Sequence, residues 1–274
     1  MRHQVFKFLK QCSSEPQVVD SLIVSAFLSI NELNVENNVL IKSLIVQENS
    51  QIEYQNVKKF IKLLEKEFST FGFEELIELF EFVISPADKI VTGAVYTPAY
   101  IRAFIISRTL TSDKSKMQGI KIADISCGCG GFLFDASRKL KKKTRRSYAN
   151  IFKDQIFGLD IQSYSITRAK ILLTLLALSE GEDPETFHFN LVVGDTLTFE
   201  WKSVLNDFNG FDLVLGNPPY VCSKHISSEI KTNIANWEVS RSGHPDLYIP
   251  FFQIAIENLS PDGLMGFITM NSFF

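Results

Sequence analysis

Cysteine, membrane-length apolar runs and an excess of basic charge are all scarce in this chain, and each scarcity removes a class of protein. The 274 residues hold 4 cysteines and open with no signal-peptide pattern, which excludes a disulfide-stapled secreted scaffold and makes a reducing cytoplasm the expected compartment. A zinc site wants four ligands. Cys127 and Cys129 sit close together, but Cys12 and Cys222 belong to unrelated segments, so small buried thiols and no metal are the expectation. No apolar stretch reaches the roughly 20 residues that cross a bilayer. The longest, such as Ile171–Leu178, fits a core helix, and no membrane partner is expected. A net charge of −3 and a pI near 5.9 are unlike a protein that grips nucleic acid along its whole surface. Internal repeats and low-complexity tracts are absent too, which excludes a solenoid.

What remains is an ordinary globular composition, 45% hydrophobic and 22% charged, of a length suited to one large or two modest domains. Residues 1–90 are rich in phenylalanine and poor in glycine. Val57, Phe60, Ile61, Leu64 and Phe68 recur at helical spacing, and Phe73, Leu76, Ile77 and Phe80 repeat the pattern, which predicts amphipathic helices in a supporting bundle. Ser85-Pro86-Ala87-Asp88 breaks the pattern. From residue 91 to 274 strand and helix signals alternate, predicting an α/β fold with a mostly parallel, doubly wound sheet and helices on both faces. The basic run from Arg138 to Arg146 is expected to form a solvated loop away from the strands' carboxyl ends.

The chemistry lies at the ends of the predicted strands. Lys121–Ile125 leads into Ser126-Cys127-Gly128-Cys129-Gly130-Gly131 and then a helix. Glycines allow positive φ and close backbone approach, and a helix start presents unpaired amides. The spacing departs from the G-x-G-x-x-G of dinucleotide folds, and no P-loop lysine follows. Asp124 at the strand end suits an ammonium-bearing ligand better than a phosphate. Gln155–Asp160 ends in an acid where doubly wound folds bind ribose hydroxyls, and Asn190–Gly194 is followed by Asp195. For any single aspartate a cap or solvated turn is the alternative, but carboxylates at three such strand ends can line one crevice. After Phe211–Leu215 and Gly216 comes Asn217-Pro218-Pro219-Tyr220. Asn217 offers a side-chain carbonyl and Pro218 a backbone carbonyl, the prolines stiffen the turn, and Tyr220 offers a flat face for a base. Such a turn can hold an electron-poor planar amine, although a plain strand-ending turn uses the same residues. Gly263–Met270 reads as a fifth strand, and the polar stretch Val221–Pro245, with His225 and His244, as a mobile surface loop.

Taken together, these motifs over residues 91–274 resemble S-adenosylmethionine-dependent DNA adenine methyltransferases of the amino-methylating class, in gamma motif order. The nearest groups are type I modification subunits and type IIG restriction-modification enzymes. Gly93-Ala94-Val95-Tyr96-Thr97-Pro98 resembles the upstream cofactor motif and favours DNA over the protein-glutamine methyltransferases that also carry Asn-Pro-Pro-Tyr. The resemblance implies a Rossmann-like methyltransferase sheet. It places Tyr96, Thr97 and Pro98 beside the methionine end of S-adenosylmethionine, and Asp124, Cys127 and Gly128 around its amino group. Asp160 would hold the ribose, Ile161 would pack on the cofactor adenine, and Asp195 would accept from that adenine's amine. Phe252 would wall the pocket, and Asn217, Pro218, Pro219 and Tyr220 would form the catalytic turn around a flipped adenine. Double-stranded DNA is the implied partner. The final strands and the target-recognition region of such enzymes are not visible, so a specificity subunit or a C-terminal domain is expected to supply recognition. A protein-glutamine methyltransferase and a non-catalytic cofactor-binding subunit stand as alternatives.

Overall fold

The computed structural model describes residues 3–82, 96–110, 113, 117–222, 224, 226–241, 243 and 245–270. Five helices come first: α1 His3–Cys12, α2 Pro16–Ile30, the short α3 Val39–Lys42, α4 Gln51–Glu67 and α5 Phe73–Phe82. The predicted helical stripes are the faces that pack, since Val57, Phe60 and Leu64 of α4 and Leu76, Ile77 and Phe80 of α5 are all buried. Proline opens α2, where its missing N–H costs nothing, and the Asn38 side chain caps α3 by accepting from Ile41 N at 3.1 Å.

The remainder alternates as the sequence predicts: α6 Ala99–Thr109, β1 Ile122–Asp124, α7 Gly131–Thr144, α8 Tyr148–Asp154, β2 Ile156–Asp160, α9 Ser163–Ser179, β3 Asn190–Val193, β4 Phe211–Gly216, α10 Ser228–Ala235, α11 Tyr248–Glu257 and β5 Leu259–Phe267. The strands form one five-stranded sheet in the order β3-β2-β1-β4-β5, and every neighbouring pair is parallel. Helices cover both faces of such a sheet, so strand residues are apolar in both directions. Ile122, Leu213 and Leu215 point into a core shared with α7, α9 and the N-terminal helices. Their alternates Ala123, Val214, Phe157 and Leu159 point into a second core with Trp201, Phe211, Phe251 and Ile254.

Helix α9 has no solvent face to speak of, because the sheet lies on one side and the N-terminal helices lie on the other. Its predicted apolar positions Ile166, Ala169, Leu172, Leu173 and Leu176 are buried, and so are Ile171, Leu175 and Leu178, as expected of a helix that is hydrophobic all round. Arg168 on α9 is 1% exposed and donates Nε to Asp20 of α2 at 2.9 Å and Nη1 to the Phe80 carbonyl of α5 at 2.8 Å. That buried pair fastens the N-terminal helices to the sheet layer.

Local departures from the sequence reading have plain causes. Most of the basic run continues α7 rather than forming a loop, because Leu133, Ala136 and Leu140 extend a buried helical stripe. Its lysines then fall at the helix C-terminus, where the dipole favours cations. Strand β5 begins at Leu259, earlier than Gly263: the Ser260–Gly263 turn signals mark a register irregularity opposite Phe211 and Leu213, not a strand start. The stretch Val221–Pro245 contains α10, and Val221, Ile226 and Ile234 are buried. His225, His244, Ser85–Asp88 and Gly93–Val95 lie outside the described residues. Among the described residues no helix is long and apolar enough to cross a membrane.

Candidate functional site

In this strand order β1 is followed on one side by β2 and on the other by β4, so the chain leaves the two central strand ends in opposite directions and opens a crevice there. A cavity of about 210 Å³ occupies it. Asp124 closes β1 and is 2% exposed. Its Oδ1 accepts from Ser126 N at 3.0 Å. Gly216, at the end of β4, passes so close that a β-carbon there would lie 2.8 Å from the same oxygen. Only glycine lets the two strand ends approach in this way.

The glycine turn wraps the next acid. Cys127 N donates to Leu159 O at 3.0 Å, and Gly128 N donates to Asp160 Oδ2 at 2.9 Å. The other oxygen, Oδ1, accepts from Gln162 N at 2.9 Å. Gly128 has φ +51° and a β-carbon there would meet Glu81 Oε1 at 3.0 Å. That Glu81 oxygen accepts from Cys129 N at 3.0 Å. Glu81 and Asp160 therefore converge on Gly128, and Asp124 lines the same cavity. Burial pushes the Asp124 carboxyl up to about 8, with Asp160 and Glu81 adding repulsion against the Ser126 hydrogen bond. Burial likewise raises Asp160 against its two backbone donors, and Glu81 against the Cys129 donor. Cys127 and Cys129 are buried thiols held protonated first by burial and then by these acids.

Across the crevice, Asn217 and Pro219 line the cavity, and Asn217 Nδ2 donates to Thr97 Oγ1 at 3.1 Å. Thr97 and Tyr96 line the same cavity. Their position is set by Arg102 of α6, which donates Nη1 to Thr97 O at 2.5 Å, Nε to Asp135 at 2.7 Å and Nη2 to Glu74 at 2.7 Å. Tyr96 OH donates to Glu74 as well. Arg102 is the only cationic residue among the described lining residues. Burial opposes its charge, but Glu74 and Asp135 more than offset that.

Asp195, Cys127, Gly128 and Ile161 also line the cavity. Asp195 accepts from Leu197 N at 3.0 Å and, through Oδ2, from Asn233 of α10 at 3.4 Å. Ile161 is 57% exposed at the mouth, an apolar surface with room for a planar ligand. Pro98, Pro218, Tyr220 and Phe252 flank the cavity rather than line it. Pro98 caps α6. Tyr220 OH donates to Ile268 O at 2.8 Å and its ring lies 5.8 Å from Tyr248, and burial pushes its phenol up to about 12. Phe252 packs on Phe267 at 5.5 Å, and its neighbour Phe251 lines the cavity instead.

The residues that sequence reasoning missed are Glu81, Glu74 and Arg102. The one available signal was periodicity: Glu81 stands four residues after the buried Ile77, so an acid follows on the same side of α5.

Residues 154–274 match the Eco57I restriction-modification methylase family. Type II methyltransferase M.BstVI of Geobacillus stearothermophilus is 30% identical over 190 residues, which cover 66% of this chain and 34% of that protein. Type II restriction enzyme and methyltransferase RM.Eco57I of Escherichia coli is 26% identical over 249 residues, covering 72% and 25% respectively. The chain thus spans about a third or less of the length of these curated relatives. Among solved structures, the type IIL restriction-modification enzyme MmeI in complex with DNA superposes with a TM-score of 0.65 at 16% identity, covering 98% of this chain and 50% of that one. The chain is similar to restriction-modification methyltransferases in sequence, as its motif order implied, and it shares their fold.

Proposed function

We propose that this chain is the cofactor-binding and catalytic part of a site-specific DNA methyltransferase of a restriction-modification system, acting on the exocyclic amine of an adenine rotated out of the duplex. The observation that carries the reading is the pairing across one crevice of an acidic pocket, Glu81, Asp124 and Asp160, with the Asn217–Pro219 turn. A buried Asp124 and half-buried Glu81 and Asp160, with no uncommitted cation beside them among the described residues, favour a cationic ligand and disfavour a phosphate. S-adenosylmethionine fits that demand, and when bound it supplies an electrophilic methyl group on a sulfonium.

The chain's own residues do the rest. Each Asp160 oxygen spends one lone pair on a backbone N–H and keeps another for a ribose hydroxyl. Ile161 would pack on the cofactor's adenine and Asp195 would accept from its amine, both lining the cavity. Asn217 and the Pro218 carbonyl accept the target amine's protons, which draws the nitrogen lone pair out of the ring and stabilises the positive charge that grows on nitrogen during transfer. Alignment of the target amine with the bound methyl donor in the crevice would supply the remaining gain. A methyl donor held there would give its methyl group to the amine nitrogen with loss of its carbon–sulfur bond, and the methylated amine would release its proton to water. The base reaches the site by flipping. Target recognition belongs to a specificity subunit or a further domain, consistent with the acidic net charge, and the setting is the cytoplasm, where the DNA is.

Incubation with methyl-tritiated S-adenosylmethionine, unmodified DNA and a cell extract that can supply a recognition partner tests this reading. Label in N6-methyladenine is the expected result. Label in N4-methylcytosine would overturn the choice of base, and label in a Gly-Gly-Gln protein loop would move the chain to the protein-glutamine methyltransferases. No label despite confirmed cofactor binding would make it a non-catalytic subunit.

A further inference from the structure

Among the acids of the crevice, Glu81 is the one that no strand end supplies; it comes from α5, in the helical N-terminal region. We infer that Glu81 is a cofactor-binding residue, a second carboxylate beside Asp124 that receives the α-ammonium of the methionyl moiety, so that the N-terminal helices complete the site instead of merely supporting it. The inference rests on the reading of the crevice as an S-adenosylmethionine site.

Geometry places the carboxylate where such a contact needs it. Glu81 lines the cavity together with Asp124, Gly128 and Thr97, and its Oε1 reaches the glycine turn at Cys129 N, 3.0 Å away. The bland alternative is a brace for that turn. A brace needs only an acceptor oxygen, which glutamine offers without the cost of burying a charge. Its carboxyl is opposed rather than matched by its surroundings: burial and the neighbouring Asp160 raise it against the Cys129 N–H and Arg168. Asp124 and Asp160 face Glu81 from the ends of β1 and β2, and both oppose its ionisation or are opposed by it. Among the described residues Arg168 of α9 is the cation that acts on Glu81, but its Nε is committed to Asp20 and its Nη1 to the Phe80 carbonyl. Arg102 is spent on Glu74, Asp135 and the Thr97 carbonyl. Glu81, Asp124 and Asp160, with no free cation lining the cavity among the described residues, form a cradle whose charge is balanced when a ligand brings an ammonium into it.

The test is a cycle between one side chain and one ligand group. Wild type and Glu81→Gln are titrated with S-adenosylhomocysteine, which carries the ammonium on a neutral thioether, and with 5′-methylthioadenosine, which lacks the amino-acid moiety. Loss of a charge-assisted contact should weaken S-adenosylhomocysteine binding to Glu81→Gln roughly 10- to 100-fold, while methylthioadenosine affinity changes less than about twofold. Equal losses for both ligands would reduce Glu81 to a brace for the turn and overturn the inference, as would no loss for either. A wild type that binds neither ligand would overturn the reading of the crevice itself, an outcome distinct from both. Should the glutamine variant fail to fold, Glu81→Asp serves: it keeps the charge but withdraws it by one methylene, and a loss confined to S-adenosylhomocysteine is again the supporting result, an equal loss the overturning one.

Discussion

The acids at the strand ends and Glu81 of α5 face the same cavity, and Glu74 of α5 braces it from behind through Arg102, but the strand-end and helical acids are held by different means. Asp124, Asp160 and Asp195 each accept from a backbone N–H two residues further along, at Ser126, Gln162 and Leu197. Each sits in a turn that its own neighbours close. Glu81 and Glu74 are fixed only by distant partners: Glu81 by Cys129, 48 residues away, and Glu74 by Tyr96 and Arg102, 22 and 28 residues away. A strand-end acid is oriented by local covalent geometry and survives wherever its strand forms. An acid on α5 is oriented only when the helix docks, so its place in the site depends on the packing of the whole N-terminal layer.

The sharpest probe on the strand-end side is Asn217, in the stiff turn that follows β4. Asn217→Ala should abolish methyl transfer, a loss on the order of 10³-fold for a preorganised acceptor, with S-adenosylhomocysteine affinity unchanged within about twofold. Comparable losses in rate and affinity would mean that the turn holds cofactor rather than the target amine. On the α5 side the corresponding probe lies outside the cavity. Asp20 pairs with Arg168 at 2.9 Å with both side chains at or below 4% exposure, and Arg168 also holds the carboxyl-terminal turn of α5 through the Phe80 carbonyl. Asp20→Asn leaves a buried guanidinium uncompensated and should destabilise the fold by about 3–5 kcal/mol, read as a shift of the urea midpoint. If α5 completes the site only by docking, the same variant should weaken S-adenosylhomocysteine more than methylthioadenosine at temperatures where it remains folded. An equal loss of affinity for both would break the comparison.

The same contrast explains what the sequence made legible. The strands after residue 121, their order along the chain and the acids that end them could be read because an apolar run stopped by an acid and then glycines is a local pattern. The Asn217–Tyr220 turn was visible for the same reason. Arg102 and Arg168 were not, since an arginine within a helix is ordinarily a solvated one, and only the stacking of the N-terminal helices on α9 and α7 buries them. The choice of Phe252 over Phe251 shows a finer limit. Periodicity locates the apolar side of α11, but neighbours one residue apart differ by about 100° around the axis, and the phase is set by how α11 sits on β5. Glu81 combines both difficulties: it follows a buried stripe on a helix whose partner lies far off in sequence.

A smaller effect is expected at Asp160, whose two backbone donors would remain after a ligand has lost its ribose contact. Asp160→Ala should weaken cofactor binding by roughly 1.5–3 kcal/mol for each charge-assisted hydrogen bond removed, for S-adenosylhomocysteine and methylthioadenosine alike, since both carry the ribose. This is the mirror image of the Glu81 pattern, and an Asp160→Ala loss confined to the ligand that bears an ammonium would exchange the two assignments.

The last test concerns the charge of the pocket itself. Asp124 is raised from 3.8 to about 8, chiefly by burial and then by Asp160 and Glu81, against the Ser126 hydrogen bond. Between those two values the folded chain retains a proton that the unfolded chain has released, so ionisation favours unfolding and the contribution of Asp124 to stability falls as pH rises. Asp124→Asn cannot ionise in either state. The stability of the wild type minus that of Asp124→Asn, from urea unfolding without ligand, should therefore decline with rising pH by up to about 1.4 kcal/mol per unit, and level off above about 8. A bound ammonium favours the ionised carboxylate, so saturating S-adenosylhomocysteine should flatten that decline, and its binding at neutral pH should release protons to buffer. Methylthioadenosine, without the ammonium, should do neither. A difference that rises with pH through the window would show Asp124 to be stabilised as a carboxylate without any ligand, and would remove the electrostatic demand for a cation on which the strand-end and helical acids both bear.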